Sequence, residues 1–193
     1  MPYDRPSYRA LIVSSSEKIN TALRSLLSDL DCELIRNTDN IAHARRMCLE
    51  NAFDLVIVNA PLPDDPGIRF AIDVSAGKSS VCLLMIRSEV FQDIEEKVTS
   101  YGVMTLSKPT SPAILSQSLQ WMSAVRERLR RTELQTQTLE NKMQDIRIVN
   151  RAKLLLIEKK GLSEPEAHRF IEKQAMDRCI SRRAVAEELI RSL

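Results

Sequence analysis

Glycine is scarce, with 4 in 193 residues, and aromatic residues make up only 4% of the chain. So few tight turns argue against an all-β sandwich or barrel. Histidine numbers only 2, at His43 and His168, and the cysteines Cys32, Cys48, Cys82 and Cys179 lie far apart with no CxxC pair. A zinc site therefore lacks its ligands, and the thiols read as reduced and buried, as expected of a cytoplasmic protein. Long apolar runs are missing too. The longest, Val81-Cys82-Leu83-Leu84-Met85-Ile86, is far short of the roughly 20 residues a bilayer requires. Met1-Pro2-Tyr3-Asp4-Arg5-Pro6 lacks the basic-then-apolar pattern of a secretory signal. Neither a membrane partner nor a cofactor is expected.

What is present is ordinary globular chemistry, 44% hydrophobic and 28% charged. The net charge of +2 hides an asymmetry. Residues 1–125 hold 12 Lys/Arg against 15 Asp/Glu, whereas residues 126–193 hold 16 against 11. An acidic front and a basic tail suggest an anionic partner for the tail.

The chain divides at Pro109-Thr110-Ser111-Pro112. Before that point, short apolar runs alternate with segments of helical periodicity. Ala10–Val13, Cys32–Ile35, Leu55–Val58, Val81–Ile86 and Val103–Leu106 have strand length. Residues 17–30, 39–50, 67–77 and 89–100 carry apolar residues at helical spacing between them. Nearly continuous β-branched runs suit strands buried on both faces. Strict βα alternation implies a parallel sheet with helices on both sides. Five such units in 112 residues give an α/β, flavodoxin-like domain whose sites sit at the carboxyl ends of the strands.

Those ends carry Ser14, Ser15 and Ser16 after the first strand, Asn59 after the third, and Ser107-Lys108-Pro109 after the fifth. Over residues 8–125 the layout resembles a response-regulator receiver domain. The stretch Asp54-Leu55-Val56-Ile57-Val58-Asn59 follows the family's third strand, and Lys108-Pro109 matches its lysine-proline. The resemblance implies a phosphoacceptor carboxylate and an acidic pair for Mg²⁺, a hard cation wanting charged oxygen ligands. This chain has Asn59 at the acceptor position and Ser14-Ser15 in place of the acidic pair. An amide has no anionic oxygen to attack phosphorus. The expectation is a pseudo-receiver over residues 1–112 with a degenerate phosphorylation site (Ser14, Ser15, Asn59, Lys108), where Lys108 survives as a structural donor to Asn59. Asp64 and Asp65 read as part of a Pro-Asp turn.

From Ala113 to Lys160 there is neither Gly nor Pro, 48 residues or about 72 Å if continuous. A 3-4 spacing runs through Met122, Val125, Leu129, Thr132, Thr136, Leu139, Met143, Ile146 and Asn150, flanked by charges that include Arg126 and Glu127. Residues 113–146 are therefore expected to be a coiled-coil dimerisation segment, with Met122, Val125, Leu129, Leu139, Met143 and Ile146 as its apolar contacts.

Gly161 is placed to end that helix in the left-handed conformation. Ser163-Glu164-Pro165-Glu166 reads as a capped start for the next. Ala167, Phe170, Ile171 and Ala175 form one apolar face, and Val185, Ala186, Leu189, Ile190 and Leu193 another after a Ser181 cap. Residues 147–193 are thus expected to be a small three-helix unit. It carries 11 Lys/Arg against 7 Asp/Glu. Arg147, Arg151, Lys153, His168, Arg169, Arg178, Arg182 and Arg183 are the candidate contacts to an anionic partner, since arginine forks bind phosphate and a histidine ring can stack on an unpaired base.

Arg151-Ala152-Lys153-Leu154, Gly161-Leu162-Ser163-Glu164-Pro165-Glu166-Ala167-His168-Arg169-Phe170-Ile171, Ala175-Met176 and Arg182-Arg183-Ala184-Val185-Ala186 resemble the ANTAR domain. That is the RNA-binding output module of AmiR/NasR-type transcription antitermination regulators. Leu154 departs from the family's glycine, and His168 from its frequent tyrosine. The resemblance implies a homodimer that captures paired hairpins in a nascent leader transcript and blocks terminator formation, without catalysing a reaction. With Asn59 at the acceptor position, the input is expected to be a regulatory protein or small ligand rather than phosphorylation. The alternative is a protein-interaction adaptor working through the coiled coil without nucleic acid, and salt dependence separates the two.

Overall fold

A computed structural model of the chain describes residues 7–77 and 79–192; Leu193 and the amino-terminal Met1–Pro6 segment fall outside the described residues. The chain forms two compact units, one ending at Thr132 and the other beginning at Glu133.

The first unit alternates strand and helix as its sequence demands: β1 (Tyr8–Val13), α1 (Glu17–Ser28), β2 (Cys32–Thr38), α2 (Ile41–Glu50), β3 (Leu55–Asn59), α3 (Ile68–Ala76), β4 (Val81–Arg87), α4 (Phe91–Thr99) and β5 (Met104–Lys108). The five strands make one parallel sheet in the order β2-β1-β3-β4-β5, the doubly wound arrangement. Period-two alternation divides the strand side chains between two cores. Leu11, Val13, Val56, Val58, Cys82, Leu84 and Ile86 face α2, α3 and α4. Ala10, Ile12, Leu55, Ile57, Leu83 and Met85 face α1 and the first turns of the long helix α5 (Pro112–Lys160), through Leu23, Leu27, Leu115, Leu119 and Met122. Both faces are filled, which is why these runs are apolar without interruption.

An ion pair absent from the sequence reading fastens α5 to the sheet. Arg126 Nε donates to Asp54 Oδ1 at 2.8 Å, and Asp54 Oδ2 accepts the Arg9 amide at 2.9 Å. Arg126 is buried, so it is a core residue of this unit and not a charge flanking a seam. Tyr8 donates from its hydroxyl to Glu127 at 3.5 Å, the next residue along. At the α3 end, Gly67 holds φ +80°, and a Cβ there would come within 3.0 Å of Val58 Cγ1.

The second unit consists of the latter part of α5, α6 (Glu164–Asp177) and α7 (Arg182–Ser192). Its core is built on small residues: Ala152, Ala167, Ala175 and Ala186 are buried with Leu156, Ile171 and Val185. Small side chains at the crossings let the three helices approach closely, so few large residues suffice. Gly161 ends α5 at φ +65°, the left-handed geometry expected of it. Glu166 accepts from both the amide and the hydroxyl of Ser163, at 2.8 and 2.6 Å, and closes the first turn of α6. Ser181 caps α7 by accepting the Ala184 amide at 3.1 Å. No helix among the described residues is long and apolar enough to cross a membrane.

Candidate nucleic-acid interface and the acceptor position

The carboxyl ends of β1, β3 and β5 bring Ser14, Asn59 and Lys108 together. Asn59 Nδ2 donates to Ser14 Oγ at 2.9 Å, and Lys108 Nζ donates to Asn59 Oδ1 at 2.6 Å and to the Ala60 carbonyl. Ser14 Oγ also accepts the Ser16 amide at 3.2 Å. Ser14 and Asn59 are buried, whereas Ser15 is exposed and outside the network. Burial, and then the neighbouring charge of Arg87, push the Lys108 ammonium below its ordinary value. The cluster is a hydroxyl, an amide and one cation, so its acceptor groups are already taken up by the chain.

The nearby carboxylates are committed elsewhere. Asp64 accepts the Ile41 amide at 2.9 Å and the Ala42 amide at 3.2 Å, capping α2 across 23 residues of sequence. Desolvation raises its pKa, but those amides outweigh it and hold the carboxyl below its ordinary value. Asp65 Oδ1 accepts the Gly67 amide at 2.6 Å inside the turn. Among the described residues, no group of three or more His, Cys, Asp and Glu is placed to hold a metal ion.

In the second unit, α5, α6 and α7 enclose a cleft of about 500 Å³. Lys153, His168, Arg182 and Arg183 line it, with Asp145, Ile146, Val149, Asn150 and Ser181. Four of the eight candidate RNA-binding residues thus share one concave surface with an apolar floor. Each is answered by a carboxylate. Lys153 pairs with Glu164 at 3.0 Å, and Arg183 with Asp145 at 3.0 Å and Glu187 at 2.8 Å. Glu172 bridges His168 at 3.3 Å and Arg182 at 3.1 Å. Arg178 stands apart from the cleft lining, bidentate on Glu188 at 2.6 and 3.0 Å. Arg147, Arg151 and Arg169 are exposed and do not line the cleft.

Ile146 and Asn150, expected on the seam of α5, line the cleft together with Val149, a placement that charge alone does not signal. The His168–Glu172 pair at i,i+4 was visible in the sequence. The Asp145–Arg183 pair, 38 residues apart, had no local signal.

The expected seam residues separate into two groups. Met122 is fully buried against the sheet and Leu129 is half-buried beside it. This corrects the place of Met122: the first unit's core consumes it, because the apolar face of α5 that packs on the sheet lies beside the expected row. Val125, Leu139, Met143 and Ile146 are exposed.

Comparison with known proteins agrees with both halves. The ANTAR domain family matches residues 137–190. The transcriptional regulatory protein PdtaR of Mycobacterium tuberculosis is 27% identical over 186 residues, covering 96% of this chain and 90% of the relative. Among solved structures, the signal receiver domain of an HD domain-containing protein from Pseudomonas fluorescens Pf-5 superposes with a TM-score of 0.56 at 23% identity, over 69% of this chain and 96% of that one. The chemotaxis response regulator CheY4 of Vibrio cholerae gives 0.52 at 21% identity, over 61% and 99%. The chain joins a receiver-type fold to an ANTAR domain.

Proposed function

We propose that this receiver–ANTAR chain is an RNA-binding transcription antitermination regulator. As a homodimer paired through α5, it captures two hairpins of a nascent leader RNA and keeps a competing terminator from forming. The observation that carries the reading is the cleft of the ANTAR domain, which gathers Lys153, His168, Arg182 and Arg183 around an apolar floor. Cations at the rim suit phosphates, and an apolar floor with the Asn150 amide and the His168 ring suits an unpaired base. The relative named a transcriptional regulatory protein, matched over nearly its whole length, supports a role in gene control.

The input works without phosphorylation. Asn59 supplies no nucleophilic oxygen, its two polar atoms are held by Ser14 and Lys108, and two serines give Mg²⁺ no charge to bind. A protein partner or small ligand of the receiver-type domain is the switch in this reading, and the protein acts in the cytoplasm. The test is single-round transcription through a tandem-hairpin leader followed by a terminator. Added protein raises read-through without any phosphodonor. Read-through that is unchanged by the protein, or that rises only with acetyl phosphate, contradicts the reading.

A further inference from the structure

Four carboxylates answer the cations of the ANTAR domain's cleft, and three of them stand outside its lining. Asp145 is part of the lining, whereas Glu164, Glu172 and Glu187 are not. Glu164 holds Lys153, and Glu187 holds a single lining residue, Arg183. Glu172 differs, because one of its oxygens serves two lining residues from two helices. Glu172 Oε1 lies 3.3 Å from His168 Nε2 of α6 and accepts from Arg182 Nη1 of α7 at 3.1 Å.

That contact leaves the useful part of each partner open. Arg182 Nε and Nη2 have no partner among the described residues. They form the edge of the guanidinium that takes a phosphate through two parallel bonds. Arg183 is the opposite case. Its Nε donates to Glu187 at 2.8 Å and its Nη1 to Asp145 at 3.0 Å, so neither of its edges is free for a phosphate. A histidine ring held at Nε2 is limited in its rotation, which suits stacking on a base.

Stability does not account for the arrangement. The side chains of His168, Arg182 and Glu172 are 46%, 58% and 41% exposed, and ion pairs open to water add little to folding. Preparation for a ligand does account for it. Arginine has large rotamer freedom, and freezing that freedom weakens binding unless the free protein has already restricted it. The carboxylate also repels an RNA phosphate, but through water and screened over about 8 Å. The ordering acts at contact and on two side chains at once.

We propose that Glu172 is a positioning residue of the RNA cleft. From outside the lining, its Oε1 fixes the Arg182 fork for a phosphate beside the His168 ring that stacks on a base. The proposal rests on the RNA reading above and names what prepares that site for its ligand. Its sign is opposite to that of net charge, since loss of this acidic group weakens the hold on an anion.

A double-mutant cycle in the full-length protein tests this, with a tandem-hairpin leader RNA as the probe in an electrophoretic shift. Glu172→Ala is expected to bind about threefold to tenfold more weakly than the wild type, although a negative charge has been removed. Glu172→Gln keeps an acceptor oxygen and is expected to recover most of that affinity. Glu188→Gln removes a carboxylate paired with Arg178, outside the cleft lining, and is expected to bind at least as well as the wild type. In an Arg182→Ala background, Glu172→Ala is expected to cost less, because the residue acts through that arginine. Tighter binding by Glu172→Ala makes the carboxylate a competitor of phosphate and overturns the proposal. An equal loss in both backgrounds overturns it too, as does Glu172→Gln binding as weakly as Glu172→Ala. Wild-type protein that ignores the RNA overturns the RNA reading itself, and that result comes before any variant is compared.

Discussion

Lys108 Nζ stands 2.6 Å from Asn59 Oδ1, while Asn59 Nδ2 stands 2.9 Å from Ser14 Oγ. The lysine that follows the last strand thus holds an amide, and the amide in turn holds the hydroxyl at the end of the first strand. The three strand ends are tied by hydrogen bonds, with no carboxylate in the network.

Incubation with acetyl phosphate and Mg²⁺ is expected to leave the wild-type mass unchanged. Asn59→Asp also stays unmodified, because Ser14 and Ser15 give the metal no charged ligand. Stoichiometric acyl phosphate on the wild type, read by intact mass spectrometry, would refute this. Lys108→Met removes the donor to Asn59 and lowers stability by about 1–3 kcal/mol in urea unfolding, the cost of a buried acceptor left without its partner.

Arg126→Met leaves Asp54 partly buried without its guanidinium. The side chains are 10% and 22% exposed, so the loss is about 2–3 kcal/mol, somewhat below that of a fully buried pair. The double variant Asp54→Asn/Arg126→Met loses less than the single one, because no unpaired charge remains. Urea unfolding of the two proteins measures the difference, and a double variant less stable than the single one contradicts it.

On the proposed pairing through α5, Leu139→Glu/Met143→Glu is expected to give a monomer in sedimentation velocity. Both side chains are exposed in the single chain, so the thermal midpoint of the monomer's ANTAR domain stays within a few degrees. A dimer that survives this change does not pair through α5.

Acid weakens the start of α6. The hydroxyl and then the amide of Ser163 hold the Glu166 carboxyl below its ordinary value. A carboxyl depressed in the folded state contributes stability that is full above its unfolded pKa and is lost as pH falls through its folded one. Amide exchange in the first turn of α6 therefore accelerates as pH drops through the folded carboxylate value, after correction for the intrinsic rate. Glu166→Gln removes that step, and an unchanged step in the variant assigns it to another group.

The sheet was legible because its strands are buried on both faces and so read as unbroken apolar runs. Gly161 and the Ser163–Glu166 cap were legible because they act over a few residues. The contact of Lys108 with Asn59 was legible through the register of a known family, which puts the two side by side. Arg126 was not. Its charge and its place on a long helix resemble any solvated position, and its partner Asp54 is 72 residues away. Asp64 was read as turn chemistry because the helix end it caps is formed by residues well before it. Met122 fits a heptad as well as it fits a helix face packed on a sheet, and spacing alone does not choose between the two. Ile146, Asn150 and Lys153 share a face of α5 by spacing alone, but α6 and α7 had to be in place before His168, Arg182 and Arg183 could be seen beside them.

The most direct measurement is an electrophoretic shift of a tandem-hairpin leader RNA, taken across a salt series with wild type, Lys153→Ala and Arg182→Ala. Binding by the wild type, a steep fall with rising salt, and about tenfold weaker binding by each variant are the predicted results. An RNA that never shifts, or a shift that neither salt nor either substitution alters, would contradict the account.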